Sequence, residues 1–292
     1  MSRIVSTVSP RAQPPLAVTA PKAPLNFIRR QDTKPVFLSA ALSGGEAKIF
    51  FESEAHIVPI SDLREIPESP SVDREGFELL HRPTAVEDLY DDDAVTRVYY
   101  PEIEALLRRR FGADRVVIFD FTRRSDDGAG AANPDGRRGP ASRLHVDYTV
   151  ESGPQRAKDI LGQEEAARVT AAGARIIQIN VWRPIRGPVE RSPLALADAS
   201  TVAPEDLIAT DQIFPDRVGE IYNLAHSPSQ RWYHASRMTA DEVLLIKGWD
   251  SLDDGRARFT PHAAFNFPET REDAPTRESI EVRTFVVIDQ DS

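Results

Sequence analysis

The stretch "LHVDYT" sets His145 and Asp147 two residues apart. On a strand, residues i and i+2 point to the same face, roughly 7 Å from each other. An imidazole and a carboxylate placed this way can lean toward one divalent ion. A second His would complete a two-His, one-carboxylate set that leaves neighbouring coordination positions open, which is what oxygen chemistry at non-heme Fe(II) requires. The pair alone is a common pattern, so the rest of the chain must supply the third ligand.

Five other histidines are available: His56, His81, His226, His234 and His262. His56 and His81 are expected to precede the barrel strands, and His226 sits in the turn-like "AHSPSQ". His234 in "WYHAS" lies beside aromatics, as a core or substrate-pocket histidine would. His262 in "FTPHAAFNF" is preferred, because a Pro precedes it, an apolar run follows, and "TRESIEVRTFVV" lies downstream. Read with period two, Arg277, Ser279, Glu281, Arg283 and Phe285 share one face of that segment, while Ile280, Val282, Thr284 and Val286 share the other. A solvated face would make this an ordinary polar strand. A cavity-lining face would make an Arg there a bidentate fork for a dicarboxylate, with a serine hydroxyl beside it.

These residues need elements to hold them. From "NFIRRQ" through "AKIFFESEAHIVPISDL", short apolar runs between polar residues predict strands and turns. "VTRVYYPEIEALLRRRFG" puts Tyr99, Ile103, Leu106, Leu107 and Phe111 at helical spacing, with Gly112 as a stop. "RVVIFDFT" reads as a buried strand, and "RRSDDGAGAANPDGRRGPAS" as a long loop leading into a strand "RLHVDYTV". "GPQRAKDILGQEEAARVTAAGA" predicts one helix. "RIIQINVWRPI", "EIYNLAH", "EVLLIKGWDS", "ARFTPHAAFNF" and "SIEVRTFVVID" predict five more strands. Helices early and strands late indicate an α+β chain built on an antiparallel sandwich or barrel.

Composition narrows the chemistry. The 292 residues contain no cysteine, which removes thiolate nucleophiles, zinc-thiolate sites and cysteine-ligated clusters, so any metal must use His, Asp or Glu. A hydrophobic content of 40% is enough for a sizeable core, and a formal charge of -10 argues against a nucleic-acid or anionic membrane partner and for a small molecule. No stretch has the length of a membrane span or a secretory h-region, which points to the cytoplasm. Residues 1–24, rich in Pro, Ala, Ser and Thr, are expected to be a flexible arm, with 25–292 a single domain. An arm that docks on a partner subunit would make a homodimer.

"LHVDYT", "INVWRPIRGPVERSPLALADAS", "EIYNLAHSPSQRWYHASRMTADEVLLIKGWDS", "TPHAAFNFP" and "RESIEVR" together, over roughly residues 95–288, resemble the asaB-type hydroxylase/desaturases, which include fungal gibberellin desaturase-like and CmcJ-like proteins. The resemblance implies a double-stranded β-helix (jelly-roll, cupin-like) core with flanking helices, dependent on Fe(II), 2-oxoglutarate and O2. It implies His145, Asp147 and His262 as iron ligands, and Arg277 with Ser279 as the element holding the distal carboxylate of 2-oxoglutarate. Arg283, on the same face, is the rival clamp, and Asn180 is grouped with the cosubstrate residues. Asn180 and Trp182 are expected on one side of their strand and Arg183 on the other. Tyr148, Trp182, Tyr222, Trp232 and His234 are candidates for substrate-pocket walls or for core aromatics. The expected reaction is hydroxylation or desaturation of an unactivated C–H in a specialised-metabolite intermediate. A non-catalytic jelly-roll binding protein and a metal-dependent hydrolase are the competing readings.

Overall fold

The computed structural model describes residues 20–39, 42, 47–133 and 136–289. The first strands are β1 (Lys22–Ile28), β2 (Val36–Leu38), β3 (Lys48–Ile49), β4 (Ser53–Asp62), β5 (Phe77–His81) and β6 (Arg115–Ser125). Next come β7 (Ala131–Asn133), β8 (Gly136–Arg138), β9 (His145–Val146), β10 (Arg175–Pro184) and β11 (Leu194–Ala197). The last are β12 (Leu207–Ile213), β13 (Val218–Leu224), β14 (Trp232–His234), β15 (Glu242–Asp250), β16 (His262–Ala264) and β17 (Glu278–Ile288). Helices α1 (Tyr100–Phe111), α2 (Ser152–Leu161) and α3 (Gln163–Ala171) flank them, α1 being led in by a helical turn at Asp92–Ala94 and a π-turn at Val95–Tyr99.

Among the described residues the strands form a ten-stranded sheet, ordered β1-β4-β14-β11-β16-β9-β13-β12-β2-β3, and a five-stranded sheet, ordered β5-β15-β10-β17-β6. The two enclose a core in which Trp182, Leu244 and Ile246 of the small sheet meet Leu194, Leu196, Tyr233 and Ala264 of the large one. This is the double-stranded β-helix arrangement. The period-two reading of β17 holds: Ile280, Val282 and Val286 pack against Ile103, Leu106 and Leu107 of α1, while Glu281 and Arg283 turn to the interior of the sandwich. Each fully buried aliphatic chain on α1 contributes about 1.5–3 kcal/mol, so the helix is fixed by this seam. α1 ends at Gly112, as its sequence predicts.

Several expectations shift. The helix expected over "GPQRAKDILGQEEAARVTAAGA" is two helices, broken at Gly162, whose φ of 89° disfavours any side chain. The strand expected over "RLHVDYTV" is reduced to His145 and Val146, with a single bridge from Arg143 to Asn26 before it, and the loop before it carries the β7–β8 hairpin. His56 and His81 do not precede the sheets: they lie on β4 and at the end of β5. The boundary expected at residue 24 falls inside β1, which begins at Lys22 and pairs with β4; residues 1–19 of the expected arm lie outside the described residues. No helix among the described residues is long and apolar enough to cross a membrane.

Candidate active site

Short strands of the large sheet bring three ligand atoms together. His262 on β16 pairs directly with His145 on β9, so both rings leave the sheet on one face; their centroids are 4.7 Å apart. β9 ends at Val146, and the chain turns at Asp147 into a knot closed by Thr149 and Ser152. The Thr149 N–H donates to Ser152 Oγ at 2.9 Å, and the Ser152 N–H to Thr149 Oγ1 at 3.0 Å. One ligand atom each from His145, Asp147 and His262 lies within 4.8 Å of the others.

Both imidazoles have their tautomer set by backbone. His145 Nδ1 lies 2.8 Å from the Arg143 carbonyl and His262 Nδ1 lies 3.0 Å from the Thr260 carbonyl. A carbonyl only accepts, so each Nδ1 carries the hydrogen and each Nε2 keeps its lone pair. Burial, reinforced by His262, pushes the His145 pKa down to about 4, which keeps the ring neutral. Burial acts the other way on Asp147, but the Arg283 guanidinium, helped by the Asn180 amide, outweighs it and holds the carboxyl well below its usual range. Two imidazole nitrogens and one carboxylate form a donor set for a divalent ion with open positions.

Asp147 is oriented from the opposite sheet. Asn180 Nδ2 on β10 donates to Asp147 Oδ2 at 2.7 Å, and Arg283 Nε on β17 approaches the same oxygen at 3.4 Å. Gln178 Nε2 donates to Asn180 Oδ1 at 2.6 Å. The oxygen left over, Asp147 Oδ1, lies 3.6 Å from His145 Nε2. Gly248 makes room for this chain: a Cβ there would stand 1.9 Å from Gln178 Oε1.

The two candidate clamps differ in what already occupies them. Arg283 donates to Asp120 and Glu281 carboxylates at 2.8 and 2.7 Å and to Thr122 at 3.0 Å, besides Asp147. Arg277 is 2% exposed, and its Nη1 donates to the Ser192 carbonyl at 3.1 Å, while its buried Nε and Nη2 meet no acceptor. It lines one pocket with His145, His262, Trp182, Arg124 and Glu281, and its guanidinium lies 5.7 Å from the Trp182 ring. Burial, with Arg124 beside it, lowers its pKa to about 10. Unmet buried donors on a cation are expensive, and a ligand carboxylate reaching them from the metal would satisfy both. The residues present therefore fit a metal-chelating dicarboxylate.

The remaining candidates divide by register. Trp182 faces this pocket and Arg183 the opposite side of the sheet, where it bonds Tyr99 Oη at 2.9 Å. Ser279 is buried, paired with Pro184 and Arg124, two residues beyond Arg277. Tyr148 stands beside the site, with its ring 6.5 Å from Phe285. Trp232 and His234 are directed elsewhere. Leu196 pairs with both His262 and Tyr233, so Tyr233 shares the ligand face, and Trp232 and His234 on either side of it point the other way. Trp232 packs on Phe27, and His234 on Phe265 and Phe267. Tyr222 pairs with Val146, one step from the His145–Asn223 pair, and stacks edgewise on Phe259. Arg124 is a pocket residue that the sequence reading missed; it stands at the end of β6, where it was read as the start of a loop.

A sandwich of this topology carrying two histidines and a carboxylate inside one end defines a non-heme iron oxygenase of the double-stranded β-helix class. A family model described as "Oxidoreductase/YMDC permease-like domain" matches residues 25–287. The hydroxylase/desaturase efuI of Hormonema carpetanum is 34% identical over 250 residues, covering 78% of this chain and 82% of that protein. The Fe(II)/2-oxoglutarate-dependent dioxygenase nvfI of Aspergillus novofumigatus is 32% identical over 83% of this chain and 87% of its own. A solved structure of the iron and alpha-ketoglutarate-dependent endoperoxidase NvfI superposes with a TM-score of 0.79 at 29% identity, over 92% of this chain and 98% of that one. The chain belongs to the hydroxylase/desaturase family of Fe(II)/2-oxoglutarate-dependent oxygenases.

Proposed function

We propose that His145, Asp147 and His262 hold the iron and that Arg277, with Ser279 next along the strand, receives the distal carboxylate of 2-oxoglutarate. The chain is an Fe(II)/2-oxoglutarate-dependent dioxygenase that hydroxylates or desaturates an unactivated C–H position of a small specialised metabolite. The observation carrying the residue assignment is the pair of unsatisfied donors on buried Arg277, in the pocket that also contains both histidines. Iron with 2-oxoglutarate and O2 supplies an oxidant strong enough to remove hydrogen from an unactivated carbon. The protein's own part is placement. Asn180 and Arg283 hold Asp147, backbone carbonyls hold the two imidazoles, and Trp182 forms a wall between Arg277 and the sandwich core. The formal charge of -10 supports a small-molecule partner over nucleic acid or an anionic membrane surface.

The test is an anaerobic titration of the protein with Fe(II) and 2-oxoglutarate, followed by its visible charge-transfer absorption. The wild-type chain should develop the band and His262→Ala should lose it. A normal band in His262→Ala would remove that residue from the ligand set, and activity persisting without O2 would favour a hydrolase.

A further inference from the structure

The small sheet has a second cavity on its reverse face, between β10, β15 and α1. Its volume is about 280 Å³, close to the lower end of small-molecule sites. Ile103, Leu106, Val181 and Val243, all at most 6% exposed, form its apolar walls. Arg82 and Arg109 stand exposed at its edge. Arg82 Nη1 donates only to the His81 carbonyl at 2.8 Å, and neither residue has a carboxylate partner among the described residues.

Arg183 carries the argument further. It lines the same cavity and is 2% exposed, yet its acceptors are all neutral: the Tyr99 hydroxyl at 2.9 Å and the backbone carbonyls of Ala240 and Arg82. A buried guanidinium without a counter-charge leaves positive potential that an anion would relieve. The single carboxylate on the cavity wall, Glu102, is engaged with the Thr84 hydroxyl and with the Ala85 N–H at 2.8 Å. Three guanidiniums thus face one carboxylate around an apolar hollow.

We propose that this cavity is a binding site for a small amphiphilic anion, its carboxylate or similar head among Arg82, Arg109 and Arg183 and its short apolar body against Ile103, Leu106, Val181 and Val243. The site is separate from the iron centre and does not depend on its assignment. The two lie on opposite faces of β10, where Val181 and Arg183 alternate with Asn180 and Trp182.

Octanoate is a suitable probe, titrated by calorimetry into the enzyme loaded with Mn(II) in place of iron and saturated with 2-oxoglutarate, so that the metal and cosubstrate positions are already filled. Saturable one-to-one binding is expected, with octanol and octyltrimethylammonium binding about tenfold or more weakly, since a charge-assisted contact is worth about that factor. Arg109→Glu, at an exposed position that leaves the core untouched, should weaken octanoate by about tenfold and leave octanol unchanged. Ala105→Trp should fill the cavity and abolish binding of both. Equal affinity for octanoate and octanol, indifference to Arg109→Glu, or no saturable binding would overturn the proposal. So would octanoate binding about tenfold tighter to the Mn(II) enzyme without 2-oxoglutarate, which would place it in the cosubstrate position.

Discussion

Asn180 and Asp147 are joined across the sandwich: the amide of one sheet donates at 2.7 Å to the carboxylate projecting from the other. The bond takes Oδ2 and leaves Oδ1 beside His145, so Asn180 decides which carboxylate oxygen is offered to a metal. It was grouped with the cosubstrate residues; in the structure its amide bonds the candidate ligand Asp147.

Removing this amide should loosen the metal and spare the fold. For Asn180→Ala, metal affinity is expected to fall roughly 10–100-fold, the usual cost of losing a partner that orients a ligand. Equilibrium titration with Fe(II) or Mn(II) gives the answer, with the thermal midpoint as the control for folding. Unchanged affinity would mean that Arg283 alone suffices to hold Asp147.

Gly248→Ala reaches the same carboxylate from one residue further away. Its Cβ cannot coexist with the present position of Gln178, so Gln178 must swing off Asn180. A several-fold loss of metal affinity is expected, smaller than for Asn180→Ala, and Gln178→Ala combined with Gly248→Ala should be no worse than Gln178→Ala alone.

The two arginines should separate kinetically. Arg277→Ala should raise KM for 2-oxoglutarate by roughly 10–100-fold, the worth of a charged hydrogen bond to a carboxylate, with metal affinity nearly unchanged. Arg283→Ala should instead weaken metal binding and lower stability, because Glu281, Asp120 and Asp147 lose their shared cation. Steady-state kinetics and metal titration of both variants check this; the opposite ordering would transfer the clamp to Arg283.

A charge network away from the site predicts the acid response. Lys247, fully buried, donates to Asp73 and Asp250 at 2.8 Å each, and Arg175 bonds both carboxylates. Burial raises the Asp73 pKa, but the hydrogen bonds from Arg175 and Lys247 prevail and hold it well below the usual range. Its stabilisation is therefore complete above the unfolded value of about 3.9 and disappears as pH falls toward the folded one. Asp73→Asn, at a half-exposed position, should cost about 1–2 kcal/mol at pH 7. Denaturant melts should show the difference from wild type shrinking below about pH 4.

Much of the site was legible because its residue types are unusual together. His145, Asp147, His262 and the Arg277 segment are more specific as an ordered set than any one of them alone, and the alternation of β17 survives. What could not be read was register across sheets. Whether Trp232 or Tyr233 faces the ligands depends on which of them pairs with Leu196, a non-local choice that one residue of slip reverses. Arg124 was hidden because β6 runs to Ser125, past the apolar run "RVVIFDF" that announces it. Arg283 was placed on the face of Arg277 and Ser279, but its carboxylate neighbours come from β6, β17 and the turn after β9 together.

β9 is only two residues long, and the carboxylate that follows it is steered by β10 and β17. The geometry of the candidate metal centre is thus a gauge of the gap between the sheets: compress or spread the sandwich, and Asp147 turns relative to the two histidines. A bound ion would act as a rivet through both layers, slowing backbone hydrogen exchange around His145, Asn180 and Arg283 together.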